Sequence, residues 1–476
     1  MFFIIYGFGV RGKRLFNVMD EVRRADVLIC DKKMETATSL ENYPSVIRLE
    51  NIQKYYPFQL CITLSSTEQA SQVKNEMIER GIDESAFVDY WAAFYAAVYS
   101  NNLFLQRVNQ YSMRKNNQRK LFIDCIYGLG LGGTESWSED VCEFINHSNE
   151  TTIALLTNSD GAERAKGKTY IDVINNSAER WTPKSILKYI DAVMDRLPCT
   201  IITNRPDDLL IAATIVKQVY ARDIAIIAVV HGGTEEIYCM YKPFVGKIDR
   251  ICGVSREICE NIIAKGFSEL ECKYLPLPFI CKAEMDREYS KESEPIRIGY
   301  AGRLDVVQKR TDRFVQLALI LMSRSIPFVF NFVGDGPYYD KLKEQLETID
   351  CMYSMKKSVP HEKVLDFWEQ QDVCVNLSEY EGRSLMVLEA MGCGVVPVVT
   401  DVSGTHDDII HGENGFIEDD IEKMADIIGG LYNRKDVLLR MGKKSRESVL
   451  KKSMMSTHVS DLLHVVKESE SDSALG

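Results

Sequence analysis

The stretch Glu381-Gly-Arg-Ser-Leu-Met-Val-Leu-Glu389, continued by Ala390-Met-Gly-Cys-Gly-Val-Val-Pro397, sets out the chemistry around which the rest of the chain can be arranged. Glu381 lies in a turn of Gly and small polar residues, just after the apolar run Asp372-Val-Cys-Val-Asn-Leu377. Glu389 follows eight residues later, about two helical turns on, so one strand–loop–helix unit can point both carboxylates roughly the same way. The backbone N–H groups of Gly382 to Leu385 would open that helix, and a helix N-terminus attracts anions, phosphates above all. The unit reads as a phosphate cradle with a carboxylate at each end, suited to a diphosphate between two hydroxyl-rich sugars. The same residues also read as an ordinary helix start with acidic flanks.

The chain has 476 residues, too many for a single core, and at ~150 residues per domain about three are expected. Apolar residues make up 45% and charged residues 26%, which is globular composition. Lys plus Arg number 57 against 69 Asp plus Glu, for a net charge of −12. Nucleic-acid binders carry a basic excess, so no nucleic-acid partner is expected. The 13 cysteines fall in no C-x-x-C pair and beside no histidine cluster, which fits buried thiols in a reducing compartment and no metal site. The opening Met-Phe-Phe-Ile-Ile-Tyr-Gly has no basic region before it and no small-residue cleavage site after it, so it reads as a strand. No run approaches the ~18 apolar residues of a membrane span. A cytoplasmic protein is expected, soluble or bound peripherally at the inner face of the cell membrane.

Residues 2–6 read as a strand entering Gly7-Phe-Gly9-Val-Arg-Gly12 and a helix, and Asp26–Cys30 as a second strand ending in Asp31. This is the layout of a dinucleotide-binding fingerprint, with glycines for the tight turn and an acid for a ribose hydroxyl. Three readings stay open: an NAD site, a site for a nucleotide sugar or other ligand, and a Rossmann-like fold without ligand. The stretch resembles the small N-terminal Rossmann-like domain of sugar-modifying enzymes in bacterial polysaccharide pathways. Tyr90–Tyr99 places large apolar residues at 91, 94, 95 and 98, a helical stripe that fits packing between domains better than a membrane surface. The polar Met113–Lys120 reads as a linker, closing a module at 1–112.

A new alternation of strands and helices starts at Leu121-Phe-Ile-Asp-Cys-Ile126 and runs to about 285. Its first turn is Gly128-Leu-Gly130-Leu-Gly132-Gly133-Thr-Glu135. The pattern restarts at Ile296-Arg-Ile-Gly-Tyr300, in a second half spanning 290–466, and residues 467–476 read as a polar, disordered tail. Alternation of this kind predicts α/β halves with parallel sheets, whose ligands bind at the C-terminal strand edges. On that edge of the second half stand Arg303 and Lys309, Gly334-Asp-Gly336, and Glu381–Ser384. Two cations and a helix N-terminus aimed at one place suit a diphosphate.

With these motifs in view, residues 121–466 resemble a retaining glycosyltransferase of family 4, with the GT-B fold: two Rossmann-like domains facing across a cleft. The matching features are Gly132-Gly133-Thr-Glu135, Gly302-Arg303-Leu with Lys309, Gly334-Asp-Gly-Pro337, and Glu381–Glu389 with the Ala-Met-Gly-Cys-Gly-Val-Val-Pro that follows. The resemblance implies that Arg303 and Lys309 bind the donor diphosphate and neutralise the departing nucleoside diphosphate. Glu381 would contact the transferred sugar, and His231, after the strand Ala228-Val-Val230, would stand beside it. A loop histidine serving only the fold is the other reading of His231. The donor would be cradled by Gly132 and Gly133, Gly334 and Asp335, and Gly382, Arg383, Ser384 and Leu385. Glu389 would take the ribose hydroxyls and the backbone near Val359 would meet the base.

The resemblance further implies that the leaving phosphate takes the acceptor's proton on the same sugar face. No cofactor is then expected beyond the nucleotide-diphosphate sugar, and no metal, since Arg and Lys stand in for one. The acceptor would be a glycan or lipid-linked glycan in bacterial surface polysaccharide synthesis. Ser403-Gly404 replaces the family's frequent Gly-Gly, Asp407 or Asp408 its Glu, and His411 a common Asp. These changes touch the loop near the donor sugar. Two other functions fit the chain: an NAD-dependent enzyme modifying nucleotide sugars through the N-terminal module, and a glycan-assembly subunit without turnover.

Overall fold

The fold was described from a computed structural model. It describes residues 2–19, 21–24, 26–31, 46–64, 67–111, 118–125, 133–148, 151–158, 168–174, 180–279, 287–359, 361–450 and 454–475. Their strands form three separate sheets. The first has the order β2-β1-β3-β4, with β1 at Phe2–Tyr6, β2 at Val27–Cys30, β3 at Phe58–Ile62 and β4 at Phe87–Val88. Every ladder is parallel. The second has seven strands, β11-β10-β9-β8-β5-β6-β7. These are β5 Lys120–Cys125, β6 Ile153–Asn158, β7 Ile171–Ile174, β8 Cys199–Thr203, β9 Ile224–Val230, β10 Arg250–Gly253 and β11 Cys272–Tyr274. The third has the order β14-β13-β12-β15-β16-β17. Its strands are β12 Ile296–Ala301, β13 Phe328–Val333, β14 Tyr353–Lys356, β15 Val373–Asn376, β16 Val396–Val399 and β17 Phe416–Ile417.

Strands covered by helices on both faces read as unbroken apolar runs. Ile224-Ala-Ile-Ile-Ala-Val-Val230 is such a run, and all seven residues are buried. The C-terminal ends of these strands carry the loops of interest: His231 follows β9, Gly302 follows β12, Gly334 follows β13, and Ser378 to Arg383 follow β15.

Helix Tyr90–Ser100 joins the first sheet to the second. Asp89 caps it by accepting from the Ala92 amide. Its ring stripe then packs outward: Trp91 and Phe94 lie 5.2 and 5.7 Å from Trp181, and Tyr95 lies 4.8 Å from Phe244. The polar ends of the rings are satisfied as well, Tyr95 donating to the Pro206 carbonyl at 3.0 Å and Tyr99 pairing with the Thr214 hydroxyl at 2.7 Å. This stripe holds the N-terminal sheet on the next half. Trp91→Ala is therefore expected to cost about 3–5 kcal/mol, as for other buried large-to-small changes, and equilibrium urea unfolding reads that loss.

At the other end, the expected disordered tail is corrected. Helix Met455–Leu475 runs through it. Polar composition misled because the charges have partners on the second sheet: Asp472 pairs with Arg250 at 2.6 Å, Glu468 with Lys273 at 3.2 Å, and Glu470 accepts from Thr200 at 2.5 Å. Ser469 and Ser473 are buried. Just before this helix, Met454 bridges Phe279 near the end of the first half, and the helix then runs over the second sheet.

In the N-terminal loop, Gly7 adopts φ +85° and a Cβ at Gly12 would press on the Gly7 carbonyl, so both glycines are needed for the turn. The Asp31 carboxylate, read from sequence as a ribose ligand, accepts the Phe8 amide at 2.7 Å and closes that loop on itself.

Candidate active site

Two loops of the third sheet are keyed together by glycine. Gly334 and Gly336 have φ of +150° and +155°, and a Cβ at either would run into the carbonyl oxygens of Gly302 and Leu304. Backbone bonds finish the contact, Gly302 donating to Val333 and Leu304 to Asp335, both at 2.9 Å. Arg303 is thereby fixed in place between them. Beyond it, the Asp305 carboxylate accepts the amides of Val307, Gln308 and Lys309 at 2.8–3.2 Å and shapes the loop that carries Lys309. Burial on its own would raise the Asp305 carboxyl, but the Gln308 and Lys309 amides and the Arg303 charge hold it below the usual carboxylate range.

Lys309 and Glu381 meet at 2.5 Å, with side chains 20% and 7% exposed. Ser378 donates to the same Glu381 oxygen at 2.7 Å. Gln308 bridges the two cations' neighbourhoods: its amide nitrogen reaches the second Glu381 oxygen at 3.4 Å, and its oxygen accepts from Arg303 at 2.7 Å. Arg303 also pairs with Asp305 at 2.8 Å and is 55% exposed. Arg303, Lys309 and Glu381 therefore share one polar cluster.

Glu381 also sits against the other half. A Cβ at Gly382 would collide with the His231 carbonyl, and one at Gly233 would fall 2.6 Å from the Glu381 carbonyl. Ser255, which caps helix Arg256–Ala264, bonds the Ser403 hydroxyl at 2.8 Å, and Asp407 accepts the Arg256 amide at 2.9 Å. Ser403 thus ties the two halves at this edge.

Next comes helix Leu385–Gly392. Its first-residue cap, Ser384, makes no side-chain capping bond, and among the described residues the buried Ser384 hydroxyl has no hydrogen-bond partner. Leu385 abuts Gly133, which opens helix Gly133–Ser148 in the other half. Two helix starts therefore meet across the cleft. Gly132 lies outside the described residues. Glu389 is buried on helix Leu385–Gly392, close enough to Cys374 that its charge adds to the burial that pushes that thiol up.

Three expected site residues have other partners. The Arg383 guanidinium is buried against Asp408, at 2.5 and 2.9 Å, and donates to the Leu277 carbonyl at 3.1 Å. The guanidinium thus anchors the loop, while the donor contact expected of Arg383 was through its backbone amide. Asp335 pairs with Lys357 at 2.9 Å on an exposed rim. Val359 packs on the shared core.

His231 is fixed by a chain of bonds: its Nε2 lies 2.9 Å from the Asn204 side-chain oxygen, and Asn204 Nδ2 donates to the Asp124 carbonyl and the Ser138 hydroxyl. The Trp137 ring stands edge-on to the imidazole at 4.9 Å. Burial, then the Arg205 and His458 charges, bring the His231 pKa down to about 3. His458, from the last helix, accepts from Trp137 Nε1 at 2.9 Å and donates from Nδ1 to the Pro276 carbonyl at 2.8 Å. Burial first, with Arg383 adding, lowers its pKa to about 4 against the opposing Pro276 bond. A folded-state pKa below the unfolded value of ~6.5 gives stability that is present above that pH and lost as pH falls. About 2 kcal/mol should be lost through His458 between pH 7 and 5. His458→Asn is expected to remove that part of the acid sensitivity, as read by urea midpoints at the two pH values.

Sequence reading did not find Ser378, Gln308, Asn204, Ser138 or His458. Ser378 and Gln308 stood within three residues of motif residues, the one signal available; the other three are brought in from distant segments. Among the described residues no group of three or more His, Cys, Asp or Glu is arranged to hold a metal ion, and no helix is long and apolar enough to cross a membrane.

Residues 295–434 match the family described as glycosyl transferases group 1. Two curated relatives are the N-acetyl-α-D-glucosaminyl L-malate synthase of Bacillus anthracis and the poly(ribitol-phosphate) α-N-acetylglucosaminyltransferase of Staphylococcus aureus. The first is 29% identical over 35% of this chain and 44% of its own length, and the second 28% over 33% and 32%. The chain thus spans less than half the length of these relatives. Among solved structures, Anabaena HepE in complex with UDP and glucose aligns over 74% of this chain and all of its own, at 14% identity and a TM-score of 0.60. The lipopolysaccharide outer core galactosyltransferase WaaB covers 73% and 99%, at 17% identity and a TM-score of 0.59. At such identities the likeness establishes the fold: the architecture is GT-B.

Proposed function

We propose that this chain is a metal-independent, retaining glycosyltransferase of the family 4 type, transferring a sugar from a nucleoside-diphosphate donor to a glycan or lipid-linked acceptor. The observation that carries the reading is the Ser384 hydroxyl, unpartnered among the described residues, at the uncapped start of helix Leu385–Gly392, whose Leu385 abuts a second helix start at Gly133. A buried hydroxyl without a partner costs about 1–3 kcal/mol, and a phosphate oxygen at a helix N-terminus would satisfy it. Arg303 and Lys309 would supply the charge that a metal supplies elsewhere. The bond from the sugar's anomeric carbon to the phosphate oxygen breaks, the acceptor oxygen bonds on the same face, and its proton passes to the departing phosphate. Glu389 would hold the ribose.

Relatives described as N-acetylglucosaminyl transferases, and a neighbour described with UDP and glucose, support a UDP-sugar as the first donor to test. The relative described as acting on poly(ribitol-phosphate) supports a polymer acceptor of surface-polysaccharide type, to be reached from the inner membrane face. The experiment is nucleoside-diphosphate release from UDP-, GDP- and ADP-sugars with and without EDTA. Release from one donor class, unchanged by EDTA, is expected; a strict metal requirement overturns the metal-independent reading, and no release from any donor overturns the assignment.

A further inference from the structure

The tautomer of His231 can be read from its neighbours. Ser138 donates its hydroxyl proton to the Thr134 carbonyl at 2.9 Å, so toward Asn204 it is an acceptor. Asn204 therefore turns its NH₂ to two acceptors, the Asp124 carbonyl at 2.6 Å and the Ser138 oxygen at 2.9 Å. Its remaining atom toward His231 is a carbonyl oxygen, which can only accept. The imidazole must then carry its proton on Nε2, leaving the Nδ1 lone pair free to accept.

We propose that Asn204 is a positioning residue, which holds His231 as the neutral Nε2–H tautomer and so offers Nδ1 as a hydrogen-bond acceptor to a hydroxyl of the transferred sugar. This rests on the reading of His231 as a group beside that sugar. The charged surroundings agree with a neutral ring. Arg205 from the loop after β8, paired with Glu135 of helix Gly133–Ser148 at 3.3 Å, opposes protonation, as does His458 from the last helix. From the second half the Gly382 backbone touches the His231 carbonyl, with the neighbouring Glu381 carboxylate tied to Lys309. A neutral donor–acceptor imidazole contacts an uncharged sugar hydroxyl without changing the charge of the site.

The test uses the full chain labelled with ¹⁵N-histidine, the His231 signals being assigned by their loss in His231→Gln. Long-range ¹H–¹⁵N correlations at pH 7.5 should show the Nε2–H tautomer in the parent protein. Asn204→Ala should give a mixed or Nδ1–H population and lower kcat for UDP release from UDP-N-acetylglucosamine by tenfold or more, with KM changed less than threefold. Asn204→Asp places a carboxylate on Nε2–H and favours the imidazolium, so its rate should fall as pH drops from 8 to 6 while the parent's stays level. Ser138→Ala, which leaves the Asp124 contact, should lower kcat two- to threefold and keeps the test alive should the other variants fold poorly.

An Nδ1–H or doubly protonated His231 in the parent protein overturns the proposal. So does an Asn204→Ala protein whose tautomer is unmoved. If His231→Ala loses turnover while the Asn204 variants keep theirs, the proposal alone fails. If His231→Ala turns over at the parent rate, the reading of His231 beside the sugar fails first, whatever the tautomer.

Discussion

Lys309→Ala should lower glycosyl transfer by about 10²–10³-fold, the scale found when one pre-organised charge-stabilising contact is removed from an active site. The reasoning is local. Lys309 is largely shielded and meets Glu381 at 2.5 Å, so its charge acts at reduced dielectric. Removing it deprives the departing diphosphate of a cation and leaves the buried Glu381 carboxylate with Ser378 and a long Gln308 contact. Arg303→Ala separates chemistry from folding, because that side chain is over half exposed and its loss should leave the melting temperature nearly unchanged. Steady-state kinetics on both variants, beside thermal melts, check the pair. A Lys309→Ala enzyme within threefold of the parent would remove Lys309 from the chemistry.

Gly382→Ala should be nearly as damaging by a different route. The methyl group would be driven into the His231 carbonyl, backbone against backbone, where no rotamer change relieves it. The halves must then part at the edge where Ser255 bonds Ser403 and Asp407 meets Arg256. A misplacement of about 1 Å at the reacting centre costs on the order of 10²-fold, so kcat should fall by that factor. Gly382 lies in a loop outside every strand and helix, so circular dichroism should stay that of the parent. A Gly382→Ala enzyme of normal kcat would mean that the two halves do not need this approach during turnover.

Much of this organisation was legible in the residues. Runs such as Ile224–Val230 and Phe328–Val333 read as strands, and Gly302 and Gly334 as loops on one sheet edge; how closely those two loops approach is seen only in the fold. The pairing of Glu381 with Lys309 was not visible. Sequence reading aimed both at a ligand, while the fold also aims them at each other. Nor does motif position say which way the Arg383 side chain turns; in the fold Asp408 holds it. The tail was misread because local composition ignores partners more than 200 residues away, among them Arg250 and Thr200. Asn204 and His458 were missed for the same reason: each acts on His231 or Trp137 through contacts that only the assembled sheets create.

The central requirement of this site is that a nucleoside diphosphate binds at Arg303, Lys309 and Ser384 without a metal. Calorimetric titration of UDP into the EDTA-treated chain measures this in one step. The expected result is micromolar binding that weakens at least about thirtyfold, or ~2 kcal/mol, in Arg303→Ala and Lys309→Ala and several-fold in Ser384→Ala. Absence of binding by UDP, GDP and ADP alike, or UDP binding indifferent to all three substitutions, would contradict it.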